Sequence, residues 1–131
     1  MTRPVFELHL TATAQHIDEL GHVNNAVWVR WIEEIATAHW RTAAASAHVE
    51  TYVWVITRHE IDYLKPLLEG QSVTGRTWAE QPKGARSVRL MEFVGTDETV
   101  HVRSRTTWAM INRTTGRLQR VTPDIVAPFL P

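Results

Sequence analysis

The chain has 131 residues, 44% of them hydrophobic, and its 14 basic residues balance its 14 acidic ones. That length predicts a single domain over residues 1–131 that buries roughly two thirds of its unfolded surface, and the even charge offers no basic stripe for nucleic acid. There is no cysteine, which excludes disulfides, thiolate metal sites and a cysteine nucleophile.

Val5 to Leu10 alternates apolar and polar residues and predicts a first strand. Then comes His16-Ile-Asp-Glu-Leu-Gly-His-Val-Asn-Asn25, which sets an acid, Asp18, and an imidazole, His22, on a short turn relaxed by Gly21. Residues 25–45 read as one helix, because Trp28, Trp31, Ile32, Ile35, His39 and Trp40 recur at steps of three and four. Asn24 is the expected N-cap, and the Ala-rich tail 42–46 is expected to fray into a loop. From residue 51 the period drops to two. Strands are expected over 52–64, 73–80, 87–94 and 100–111, with turns at Lys65-Pro66, Glu69-Gly70, Pro82-Lys-Gly84, Gly95-Thr-Asp-Glu98 and Asn112 to Gly116. In the last strand Val102, Ser104, Thr106, Trp108 and Met110 share one face, and His101, Arg103 and Arg105 are placed on the other. Pro123 is expected to open a short terminal helix reaching Phe129.

Short connections favour an antiparallel sheet, and one apolar helix against such a sheet is an α+β two-layer domain. The N-terminal residues show no signal-peptide hydrophobic region. The longest aliphatic-aromatic run, 52–56, is far too short to span a bilayer, so a cytoplasmic protein without a membrane contact is expected.

The head of the helix carries the chemistry. With Asn24 as cap, its side chain takes the N–H of Ala26 or Val27 and leaves the N–H of Asn25 without an intrahelical partner. A free donor at the positive end of a helix suits an oxyanion formed in acyl transfer, and one such donor is worth about 3 kcal/mol in the transition state. An ionised Asp18 folded over that end is a nucleophile or a base for water. On spacing alone, an Asp or Asn ahead of a helix is more commonly a cap or a turn former.

At these residues the chain resembles the hotdog-fold thioesterases, the superfamily of 4-hydroxybenzoyl-CoA thioesterase and of acyl-CoA and acyl-carrier-protein hydrolases. Asp18-Glu-Leu-Gly-His-Val-Asn-Asn25 is similar to that superfamily's Asp-x-x-x-His-Val-Asn-Asn signature. Ile61-Asp-Tyr-Leu-Lys-Pro66 with Glu69-Gly-Gln71, and Trp108 to Arg117, are weaker echoes. The resemblance implies a five-stranded antiparallel sheet wrapped around one long central helix, and subunits joined sheet to sheet as a homodimer or homotetramer. It also implies an acyl-CoA or acyl-carrier-protein thioester bound at the subunit interface, with no cofactor or metal. By residue it implies Asp18 as the catalytic carboxylate, Asn25 as the backbone N–H donor and His22 as an assistant, with Asn24 beside the substrate. Asp62 is a further substrate-binding candidate, since some fatty-acyl relatives carry an acid or amide there. Leu20 departs from the plant acyl-carrier-protein branch, which has an Asn at that place.

Other residues offer less. Glu33 and Glu34 lie two turns along the helix, too far from its head to act there. His16, Asp18 and His22 match no strong zinc spacing. Lys83, Arg86 and Arg89 are candidates for coenzyme A phosphates or for a solvated rim. Two further classes compete with thioester hydrolysis: hydratase or dehydratase chemistry on acyl thioesters, whose motif is longer than the three residues between Asp18 and His22, and a non-catalytic acyl-CoA binding protein.

Overall fold

A computed structural model describes residues 4–131. Its strands are β1 (Phe6–Thr11), β2 (Tyr52–Tyr63), β3 (Ser72–Ala79), β4 (Arg86–Gly95) and β5 (Val100–Asn112), and its helices are α1 (Asn25–Ala43), α2 (Ser46–Thr51) and α3 (Pro123–Val126). Single 3-10 turns stand at Ala14–His16 and Ala127–Phe129. The strands form one sheet in the order β1-β3-β4-β5-β2, with every pair antiparallel. This is the helix-on-sheet arrangement that the resemblance implies.

Helix α1 exists because its apolar residues repeat at the helical period. Val27, Trp28, Trp31, Ile32, Ile35, Ala36 and His39 are buried, whereas Arg30, Glu33, Glu34 and Arg41 are exposed. The buried stripe lies on the concave face of the sheet, where Trp28 meets Trp31 and Phe93 edge to face at centroid distances of 5.2 and 5.0 Å. Helix and sheet approach closely at Gly75 of β3, where an added Cβ would run into Ile35 Cδ1. A side chain there would force the ends of Ile35 and Phe93 to shift, so the position favours glycine through close packing.

The two ends of the layer differ. At the N-terminal end of α1 the core contains Ala12, Val23, Trp28, Leu67 and Phe93, with Ile61 of β2 packed against it. At the C-terminal end a second cluster joins Met110, Val121, Ile125 and Val126, with Trp40, Tyr52 and Trp54 against it. Strand β2 therefore runs from the C-terminal end of α1 back to its head. The connection from β2 to β3 crosses that head, where the amide of Val23 donates to the carbonyl of Leu67 at 2.8 Å.

Two expectations are corrected. The 42–46 segment does not simply fray: α1 stops at Ala43, Ala44 and Ala45 are extended, and α2 begins at Ser46. Its carbonyl ends are held from far along the chain, Arg113 donating to the carbonyls of Glu50 at 3.1 Å and Val49 at 3.3 Å. His101, expected outside with Arg103 and Arg105, is buried at 4% exposure. The register slips opposite it, Phe93 facing Val102 and Val94 facing Val100, so the bulge breaks the alternation and buries His101 beside Val102. Its Nδ1 lies 3.2 Å from the carbonyls of Lys65 and Pro66. Arg103 and Arg105 do face outward, paired with Glu92 and with Glu60 and Glu80.

Replacing Gly75 by Ala is expected to destabilise by about 1–3 kcal/mol through overpacking. Ile35→Val removes the clashing Cδ1, so the double variant is expected to recover part of that loss. Chemical denaturation of the four proteins of this cycle measures the coupling, and strict additivity would contradict the contact.

Candidate active site

The head of α1 is built by a small hairpin. Ile17 and Val23 form an antiparallel bridge, the amide of Asp18 donates to the carbonyl of His22 at 3.1 Å, and the amide of Gly21 donates to the carbonyl of Asp18 at 3.0 Å. Gly21 closes this turn at φ +84°, in the left-handed region that a side chain disfavours. The amide of Asn24 then donates to the carbonyl of His16 at 3.0 Å, which ties the hairpin to the residue that caps the helix.

Asn24 caps α1. Its Oδ1 accepts from the amide of Ala26 at 2.8 Å, and its carbonyl accepts from the amide of Val27 at 2.9 Å. Its Nδ2 donates across the turn to Asp18 Oδ2 at 3.5 Å. Asp18 is half-buried, and its Oδ1 accepts from the amide of Leu20 at 2.9 Å. One carboxylate oxygen thus accepts a short hydrogen bond, while the other has a single long contact. The amide of Asn25, first residue of the helix, has no acceptor among the described residues.

The other candidates are placed as follows. His22 is half-buried in the same turn, and its imidazole has no hydrogen-bond partner among the described residues. His16 accepts from the amide of Thr13 at 3.0 Å and packs edge-on against Trp31. No group of three His, Asp or Glu that could hold a metal occurs among the described residues. Asp62 is exposed, on the opposite face of β2 from Ile61, and so is not brought to Asp18 within one chain. Glu33 and Glu34 are exposed on α1.

A cavity of about 250 Å³ lies elsewhere, between the C-terminal half of α1, the start of β2, the sheet and α3. It includes Trp40, which is fifteen residues along α1 from Asn25, or roughly 22 Å at 1.5 Å per residue. Half-buried Trp54 and Trp108 line it, and so does Arg89. Spacing had left Arg89 as a rim candidate with Lys83 and Arg86, but only those two are exposed. Arg89 alternates with Met91 and Phe93 on β4, the middle strand, and so points inward under α1.

Arg89 Nη1 donates to His39 Nδ1 at 2.8 Å and to Thr77 Oγ1 at 3.2 Å. No carboxylate pairs with it among the described residues. Withdrawing a guanidinium from water costs several kcal/mol; against that stand two hydrogen bonds to a charged group, at about 1.5–3 kcal/mol each, and the ring of Phe129, whose centroid lies 5.9 Å from the guanidinium carbon. Burial accordingly brings the Arg89 pKa down to about 10. Burial first, and then Arg89, bring His39 down to about 4. Since arginine can only donate, His39 Nδ1 is the acceptor and the ring proton sits on Nε2. Nothing in the local sequence announced this pair, which joins residues fifty positions apart.

A single long helix laid on a five-stranded antiparallel sheet is the arrangement of the hotdog-fold thioester hydrolases. The chain belongs to the thioesterase-like superfamily, whose model matches residues 12–129. No curated protein matches its sequence. Its structure is similar to that of a hypothetical protein from Staphylococcus aureus in complex with CoA, at 17% identity and TM-score 0.86 over 98% of this chain and 83% of that one. It is similar also to a predicted thioesterase from Bacillus stearothermophilus, at 24% identity and TM-score 0.84 over 96% and 94%. An acyl-ACP thioesterase from Bacteroides thetaiotaomicron gives 21% identity and TM-score 0.84 over 97% of this chain, which spans about half of that one at 54%. At these identities the likeness establishes the hotdog fold.

His39 also sets a pH dependence. Its folded pKa, about 4, lies below the ordinary 6.5, so the unfolded chain binds its proton more readily. The contribution to stability is complete above pH 6.5 and falls as pH drops towards 4. Denaturant midpoints between pH 7 and 4 are expected to fall less steeply in His39→Gln than in the wild type; parallel curves would show that His39 is not the titrating group.

Proposed function

We propose that the protein hydrolyses acyl-CoA thioesters to the free acid and coenzyme A, with Asp18 as nucleophile or general base. The observation that carries this reading is the Asp18 carboxylate within reach of the side chain of Asn24, the cap of α1, whose next residue, Asn25, has an unpaired amide. That amide, reinforced by the helix dipole, donates to the thioester oxygen as it gains charge. Asp18 Oδ2, the less engaged oxygen, then either attacks the carbonyl carbon or removes a proton from the attacking water. In the first case the C–S bond breaks to release the thiolate, and water hydrolyses the resulting anhydride. His22 orients the water or the carboxylate. Asn24 does two things, capping the helix and donating to Asp18.

The working form is a dimer through β2 in this reading. That strand is a sheet edge of 12 residues, twice the 6 of the other edge, β1. A long open edge is a template for pairing, and Val53, Val55 and Tyr63 along it are exposed. Antiparallel pairing about the middle of β2 sets the Ile61 end of one copy against the Tyr52 end of the other. Because Asp18 belongs to the first end and the cavity to the second, each Asp18 faces the partner's cavity. The separation of acid and cavity within one chain is then what a shared site requires.

Hydrolysis of an acyl-CoA panel, followed by thiol release, tests the assignment. Asp18→Asn is expected to lower kcat by about 10²–10⁴-fold; full activity in the variant would remove Asp18 from the mechanism. Asn25→Pro deletes the amide itself. Proline is tolerated at the first helical position, and Asn24 already has the extended backbone that must precede it. This variant is expected to keep its helix content by circular dichroism and to lose about 10²–10³-fold in kcat; unchanged kcat would exclude the amide as oxyanion donor.

A further inference from the structure

The wall of the cavity is largely aromatic, with Trp40, Trp54, Trp108 and Phe129, yet it presents hydrogen-bond donors that nothing among the described residues accepts. Arg89 uses only Nη1, towards His39 and Thr77. Its Nε–Nη2 edge, the fork that grips a carboxylate through two parallel hydrogen bonds, has no acceptor among the described residues. Trp108 Nε1 is buried and likewise has no acceptor. Arg41 and Arg113 share the lining, which includes no Asp or Glu. His39 supplies no negative charge, since an imidazole is neutral or cationic, and its Nδ1 already accepts from Arg89.

A cavity with cations, an orphaned indole N–H and no acid is complementary to an anion. Its volume of about 250 Å³ narrows the choice, since about 150 Å³ holds one benzene ring, so a ring or a chain of roughly six carbons fits together with a carboxylate. Coenzyme A phosphates are a second source of anionic oxygen. Arg89, however, lies under α1 on the inner face of the middle strand, where an apolar acyl group reaches more readily than a hydrated nucleotide.

We propose that the cavity is the acyl pocket and selects acyl groups that end in a carboxylate, gripped by the Arg89 fork and by the N–H of Trp108. This rests on the thioesterase reading above and names its substrate class: coenzyme A thioesters of dicarboxylic acids, short-chain or aromatic.

Matched pairs of CoA thioesters test it: hexanedioyl against hexanoyl, and 4-carboxybenzoyl against 4-methylbenzoyl. The wild type is expected to prefer the carboxylated member by roughly tenfold or more in kcat/KM, mainly through KM. Arg89→Gln is expected to abolish that ratio, and Trp108→Phe to reduce it about threefold. Equal rates within each pair, or a ratio that survives Arg89→Gln, would overturn the assignment. A ratio that survives while inhibition by free coenzyme A weakens would give Arg89 to the phosphates and overturn it too. If Arg89→Gln does not unfold cooperatively, Arg89→Lys, which keeps the charge and loses the fork, takes its place with a severalfold loss of preference expected. Calorimetric titration of hexanedioate and 1,4-benzenedicarboxylate separates pocket from chemistry. Binding that is lost in the arginine variant supports the pocket even where no thioester is hydrolysed, an outcome that sinks only the thioesterase reading. Absence of both binding and hydrolysis overturns both.

Discussion

One capping interaction governs the site. Asn24 accepts from the amide of Ala26 through its side chain and from the amide of Val27 through its backbone, which fixes where α1 begins and therefore which amide is left without an acceptor. The same side chain reaches Asp18, so one residue sets the start of the helix and helps place the acid. A cap of this kind is worth about 1 kcal/mol of stability. Its larger effect is positional, because a helix starting one residue later would free a different amide and turn it away from the carboxylate by about 100°.

The fold then separates acid from cavity. Helix α1 is held at one end by the crossover after β2, where Val23 meets Leu67, and at the other by the terminal α3 with Trp40 and Trp54. Gly75 lets its middle lie close on the sheet, and the helix keeps its two ends roughly 22 Å apart from Asn25 to Trp40. In the proposed dimer through β2, the acid at one end of a chain and the cavity at the other belong to one site only when a second copy is present. The antiparallel sense of such pairing brings unlike ends together, which a parallel association would not do.

Arg89 shows where stability and specificity conflict. The inner face of the middle strand is the position most favourable for an aliphatic side chain, and its neighbours Met91 and Phe93 are 1% and 0% exposed. A guanidinium there has only neutral partners, His39, Thr77 and the Phe129 ring, and it adds to the burial that keeps His39 neutral. Replacement of such a group by a hydrophobic residue is often stabilising. Its presence at the wall of a cavity has a direct physical explanation in recognition, since an unpaired donor fork becomes favourable once an acid occupies the cavity.

Local pattern alone settled a good part of this. The 3.6 period from Trp28 to Trp40 located the helix, Asn24 its cap and Gly21 the turn before it. The period of two located all four later strands to within a residue or two, and Asp18-x-x-x-His-Val-Asn-Asn25 pointed to the family. These features depend on residues within a turn or a strand of one another, so the order of side chains specifies them. Tertiary structure decided the rest. The burial of His101 follows from a bulge against Val94, α2 is completed by Arg113 from across the chain, and the inward aim of Arg89 depends on which face of β4 receives the helix. The cavity itself is bounded by α1, β2, the sheet and α3. Each of these depends on contacts between residues tens of positions apart, and no local period encodes which distant residue will be the neighbour.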